Sequence, residues 1–292
     1  MFHFHSKLLL TAAIASLGLT TVASAADLPA RTYTKAPVPP PVVVYNWTGF
    51  YLGGNGGYGW SANNNGTITG TDTSTGGILA PFGVPQSLAA IGLPLKSSGG
   101  LAGAQIGYNW QMVNWVFGLE ADGDWADLKT SSTIVAGGGV GFNPGFSQVT
   151  VTGTKKLEGL ETFRGRIGFL ATPQFLLYAT GGLALGQDKV GLQAVCPTCG
   201  PALPSGTQTG INTASDTKAG YAVGAGAEWM FAPQWSVKAE YLFADLGRQS
   251  TTIVYNYNGG GSSTGTLSTK QTYNIVRLGV NWHFGGPVVA AY

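Results

Sequence analysis

From Trp115 to Trp125 the chain alternates without a break. Trp115, Phe117, Leu119, Ala121 and Trp125 fall on one face; Val116, Gly118, Glu120, Asp122 and Asp124 fall on the other. A period of two belongs to a β-strand, whose successive side chains point to opposite sides. Here one side is bulky and apolar, and the other carries three carboxylates. The two tryptophans are ten residues apart. At ~3.3 Å per residue and ~40° of tilt they span roughly 25 Å, the height of the apolar band of a membrane barrel.

The same alternation recurs in segments at about 47–60, 99–112, 114–128, 156–171, 175–189, 218–231, 235–246 and 270–284. Both faces of the 175–189 segment are fairly apolar, so its orientation stays open. Short turns fall near 111–114, 171–174 and 232–234, while long Gly/Ser/Thr/Asn-rich connections fall near 61–98, 129–155, 190–217 and 247–269. Eight strands joined in this way predict an all-β fold: an eight-stranded antiparallel transmembrane β-barrel with short periplasmic turns and long extracellular loops. Both termini then lie on the periplasmic side. Aromatic residues at the ends of the apolar faces (Phe50, Trp60, Trp110, Trp115, Trp125, Trp229, Trp235, Trp282 and Phe284) are the expected interfacial girdle.

Composition weighs against the main alternatives. Only 10% of residues are charged while 11% are aromatic, and there are 46 glycines in 292 residues. A soluble β-sandwich could bury one apolar face, but it would not need aromatic residues at both ends of that face, nor so little charge. A net charge of +2 without a basic cluster gives no reason to expect nucleic acid. At the N-terminus, Lys7, an apolar core over 8–19 and Ala23-Ser24-Ala25 read as a signal peptide cleaved after residue 25. Residues 26–45 form a Pro-rich periplasmic linker, 46–284 the barrel and 285–292 a short periplasmic tail. The remaining cysteines, Cys196 and Cys199, read as a local disulfide in a loop, because an exported chain meets an oxidising compartment and no second cluster completes a metal site.

The inner face is where charge concentrates. Glu120, Asp122, Asp124, Glu158, Arg164, Arg166, Lys218, Glu228, Lys238, Glu240 and Arg277 are all expected to point into the lumen. Eight strands make a narrow barrel that its own side chains fill, so these residues predict a paired network more than a selectivity ring. No nucleophile, base and orienting group converge. His283 is the only histidine after the signal peptide and is placed at the wet inner rim. No catalytic residue, metal site or cofactor is expected. "GGNGG" at 53–57 lacks the G-K-[ST] ending of a phosphate loop.

"NWTGFYLGGNGGYGW", "ETFRGRIGF", "VKAEYLFADLG" and the closing "NIVRLGVNWHF" resemble the small outer-membrane β-barrel proteins of alphaproteobacteria. These are the outer-membrane immunogenic proteins of rhizobia and brucellae, within the opacity-protein and porin-like superfamily. The resemblance covers about 46–284. It implies a non-catalytic surface antigen with a structural, adhesive or weak pore role, inserted by the barrel-assembly machinery, among outer-membrane lipids and lipopolysaccharide. Some relatives bind haemin, but no histidine lies in an outer loop here. Three functions follow: a structural surface barrel, a low-conductance porin, and a loop-mediated adhesin or ligand binder. The apolar stretch 78–95 in the first loop motivates the third and could equally be a lid. The polar-x-Gly-x-x-aromatic-x-aromatic spacing ending at Phe284 resembles the assembly signal of a last strand.

Overall fold

The computed structural model describes residues 43–72, 86–136, 149–196, 207–256, 262–284 and 288–289. The expected signal peptide, most of the linker and Cys199 lie outside the described residues. So does the side chain of Cys196, and with it the expected disulfide. The strands are β1 (Val43–Val44), β2 (Gly49–Ser61), β3 (Asn65–Asp72), β4 (Gln86–Pro94), β5 (Ser98–Met112), β6 (Trp115–Ala136), β7 (Val149–Thr172), β8 (Phe175–Cys196), β9 (Thr207–Ala232), β10 (Trp235–Asn256), β11 (Ser262–His283) and β12 (Val288–Val289).

Eight of them close a ring. The order β10-β9-β8-β7-β6-β5-β2-β11 is completed by pairing of β11 with β10, all antiparallel. Closure removes every sheet edge at the level of the ring, as the alternating segments require if their backbone is to cross lipid. The line of paired residues runs Asp245–Tyr221–Leu183–Phe163–Ala121–Ile106–Leu52–Trp282 and returns to β10 at Trp235, ten residues from where it left. A shear of ten over eight strands corresponds to a tilt of about 40–45°.

The outer face is the apolar one. Phe50, Trp60, Trp110, Trp115, Trp125, Trp229, Trp235, Trp282 and Phe284 all point outward and are exposed. Seven of these cluster at the short-turn end; Trp60 and Trp125 mark the other limit of the band. β8, ambiguous by sequence, turns Leu176, Tyr178, Thr180, Ala184 and Asp188 inward and Leu177 and Leu183 outward.

Two expectations need correction. The strands run far past the apolar band, to 22–26 residues in β6 to β11. Much of the connections at 129–155, 190–217 and 247–269 is therefore ladder, not loop. Thr, Val and Ile recur along them, as in Ser131–Val135 and Ser250–Val254, and these are strand-forming residues even where Gly, Ser and Asn accompany them. The first connection also contains a hairpin: β3 pairs with β4 and adds to the far half of β11, from Ser263↔Asp72 to Thr269↔Gly66. β3 and β4 thus take over, above the band, the places that β2 and β5 hold within it. On the opposite side, β9–β10 pairing stops at Tyr221↔Asp245. Beyond that point the two strands are bridged by Asn212 Nδ2 donating to Thr252 O at 2.8 Å and Gln249 Nε2 donating to Ala214 O at 3.3 Å. At the chain ends, Val43 and Val44 pair with Val289 and Val288, so the tail does not simply trail away.

Candidate functional site

The lumen is filled in layers. Nearest the short turns lies an apolar cap of Trp47, Val116, Leu170, Leu176, Tyr178 and Met230. Trp47 precedes β2 and crosses the mouth: its indole Nε1 donates to Pro173 O at 3.0 Å, and its backbone N donates to Gln111 Oε1 at 2.9 Å. It is wholly buried.

Above the cap sits an ionic layer. Arg164 is its hub, donating to Glu120 Oε1 at 2.6 Å, Asp122 Oδ2 at 2.8 Å and Glu240 Oε1 at 2.9 Å, with its Nε on Thr162. Arg277 binds Glu240 at 2.7 Å, Asp122 at 2.7 Å and Asp124 at 2.9 Å. Lys238 reaches both oxygens of Glu120 at 2.9 Å, and Tyr51 donates to Glu120 at 2.7 Å. Arg166 pairs with Glu228 at 3.0 Å and lies between the rings of Tyr51 and Tyr178, 5.0 and 5.1 Å from their centroids. Four cations meet five carboxylates, all buried. The acidic run of β6 faces the arginines of β7 as its register dictates, Glu120 opposite Arg164. The same carboxylates are also reached from β10 and β11 across the bore.

This geometry follows from alternation inside a narrow ring. Every inward position of β6, β7, β10 and β11 at one height projects into the same cross-section, where low dielectric makes unpaired charge costly. Glycines make the room. Gly107 stands opposite Tyr51 and Gly226 opposite Tyr178, and a Cβ at either would strike the tyrosine ring.

Glu158 and Lys218 do not join this layer. Counting in twos from Arg164 places Glu158 inward, but a bulge between Leu157 and Gly159 shifts the parity. Leu157 turns in, and Glu158 instead pairs on the outside with Lys156 at 3.1 Å and Lys189 at 2.8 Å. Lys218 lies where β9 and β10 have separated, and bonds Asp216 at 3.1 Å. Sequence reasoning missed Tyr51, Gln105, Asn109, Thr162, Tyr178, Ser236 and Asn281, all of which bond within or beside the network. Their inward parity was the available signal.

His283 is also inside, not at a wet rim: it is 4% exposed and packed against Trp47 and Tyr51. Its Nε2 lies 2.9 Å from Ser236 Oγ and 3.6 Å from Glu228 Oε1. Ser236 donates to Glu228. Serine and carboxylate thus meet the same ring nitrogen, and the hydroxyl's proton is committed to the carboxylate. A nucleophilic triad needs them on opposite nitrogens with the hydroxyl open to substrate.

A second apolar layer covers the charges, with Leu101, Leu128, Leu157, Leu160, Leu242, Leu246 and Ile275 among its members. Over it lies a small polar layer. Tyr273 donates to Asp188 at 2.6 Å, and Lys155 donates to Ser61 at 2.9 Å and Lys270 O at 3.1 Å. Burial pushes the Asp188 carboxyl up to about 6 and the Lys155 ammonium down to about 8. The last layer is apolar again. Ile68, Leu93 and Leu95 from the β3–β4 hairpin pack on Val190, Leu192 and Leu267.

A closed ring with an outward apolar band, aromatic limits and inward ion pairs is the architecture of a β-barrel of the outer membrane. The chain belongs to the outer membrane protein beta-barrel family, whose domain model matches residues 12–284. It is 31% identical over 283 residues to the 31 kDa outer-membrane immunogenic protein of Brucella melitensis, covering 95% of this chain and all of that one. It is 29% identical to the 22 kDa outer membrane protein of Rhizobium leguminosarum, over 86% of this chain and 82% of the relative. Among solved structures, OprG of Pseudomonas aeruginosa aligns at 10% identity with a TM-score of 0.40, over 83% of this chain and 100% of that one. The protein is therefore a surface barrel of the Gram-negative outer membrane.

Proposed function

We propose that this barrel is a non-conducting, non-catalytic envelope and surface-antigen protein, with its short turns and both termini in the periplasm. The observation that carries this reading is the filled bore: among the described residues three apolar layers and two polar layers stack along it, and the side chains of the ionic layer are buried and paired with one another. Planar-bilayer recording of the refolded protein should show no steps above background. Sustained open steps would favour the low-conductance porin instead. The adhesin or ligand-binding reading loses part of its motive, because Leu93 and Leu95 are sealed in the mouth. Residues 78–85 of that stretch lie outside the described residues.

The inferred assembly signal ends at Phe284. Its backbone N donates to Phe50 O at 2.9 Å, and its ring lies 4.4 Å from that of Trp282. Phe284→Ala should slow insertion by the barrel-assembly machinery several-fold in reconstituted vesicles, while removal of 288–292 should leave the rate within twofold. Equal effects of the two changes would place the signal elsewhere.

A further inference from the structure

Within its aromatic limits the lipid-facing surface carries one charge among the described residues, Glu161, exposed on β7 opposite Gly123 just inside the level of Trp125. The exposed cations return in one band. Seven lysines and arginines among the described residues are not buried: Lys96, Lys129, Lys156, Lys189, Lys218, Arg248 and Lys270. All seven lie within a few residues beyond the level of Trp60 and Trp125, and none lies at the short-turn end.

The densest part is a row on β6, β7 and β8. Lys129 pairs in register with Lys156, and Lys156 with Lys189. Three like charges directly opposite one another are unfavourable on a sheet. The two bulges resolve the conflict by turning Asp127 and Glu158 outward between them. Asp127 lies 2.8 Å from Lys129 and 3.7 Å from Lys156; Glu158 lies 3.1 Å from Lys156 and 2.8 Å from Lys189. The row keeps a net positive charge. Its lysine side chains remain 67%, 40% and 43% exposed, so ammonium protons stay available to a further acceptor. Lys129 stands four residues past Trp125 with one bulge between them, which is a rise of about 8 Å on a tilted strand. Interfacial aromatics sit at headgroup level, and a cation one step further out meets the phosphates.

We propose that Lys129, Lys156 and Lys189 form a seat for the phosphorylated headgroup of lipopolysaccharide in the outer leaflet. The proposal rests on the outward orientation given above. Three cations in register match a headgroup that carries more than one phosphate, and the wall below, apolar at Trp125, Phe163 and Leu183 apart from Glu161, accepts its acyl chains.

The test uses the whole refolded barrel in a zwitterionic detergent, titrated with diphosphoryl lipid A and followed by native mass spectrometry. Lys129→Gln/Lys156→Gln/Lys189→Gln should weaken lipid A binding about tenfold or more. Asp127→Asn/Glu158→Gln, which raises the charge of the row, should strengthen it. Dephosphorylated lipid A should bind both variants and the parent alike, and millimolar inorganic phosphate should not compete. Heat-modified gel mobility reports that each variant is folded, and Lys156→Gln alone serves if the triple variant is not. Affinity within twofold of the parent in the folded lysine variant would overturn the proposal, as would efficient competition by free phosphate. If the barrel were inverted, the vesicle-inserted protein would expose residues 43–44, not the hairpin, to added protease. That result would sink the orientation without touching the affinity for phosphate.

Discussion

Arg164→Ala should cost the barrel about 3–5 kcal/mol, the range found when one partner of a buried ion pair is removed. The substitution leaves Glu120, Asp122 and Glu240 facing one another with one cation fewer, in a cross-section closed by apolar layers on both sides. Urea unfolding from lipid vesicles, followed by tryptophan fluorescence, measures the loss. Lys129→Ala, which removes an exposed ion pair, should shift the same curve by less than about 1 kcal/mol. A loss below 1 kcal/mol for Arg164→Ala would mean that the carboxylates are hydrated in the bore, and the non-conducting reading would fall with it.

Trp47→Ala should be nearly as damaging, by about 3–5 kcal/mol, because it empties the largest wholly buried side chain among the described residues. It also removes the hydrogen bond to the β7–β8 turn. Conductance, however, should stay at background, since the ionic layer above still spans the bore. Loss of stability without current is the signature of a filled barrel. Current without loss of stability would make Trp47 a gate.

The ring itself was legible in the sequence because lipid and lumen impose strict alternation on both faces, as along Trp115–Trp125. The short turns Thr172-Pro173-Gln174 and Ala232-Pro233-Gln234 marked their strand ends to within a residue or two. The far strand ends were not legible. Outside the apolar band nothing demands a greasy face, and a segment such as Ser262–Thr269 looks the same whether it is ladder or loop. Most of the ionic layer could be read from parity. Glu158 could not, because a single bulge residue inverts parity and leaves no mark in composition. Lys218 could not, because the separation of β9 from β10 is a property of two strands that no one segment reveals. The roles of Trp47 and His283 depend on what closes the short-turn end, which is a long-range fact.

The β3–β4 hairpin is translated early, yet the residues that hold it come late. Ile68 packs in one cluster with Leu267, and Gly66 pairs with Thr269 on the last strand of the ring. Its lodging therefore waits for β11, and β11 takes its place only when the ring shuts against β2 and β10. The outermost ornament of the first connection is in this sense a clasp, fastened after the last stave is in position. Its native shape is a record that the whole cask has been assembled.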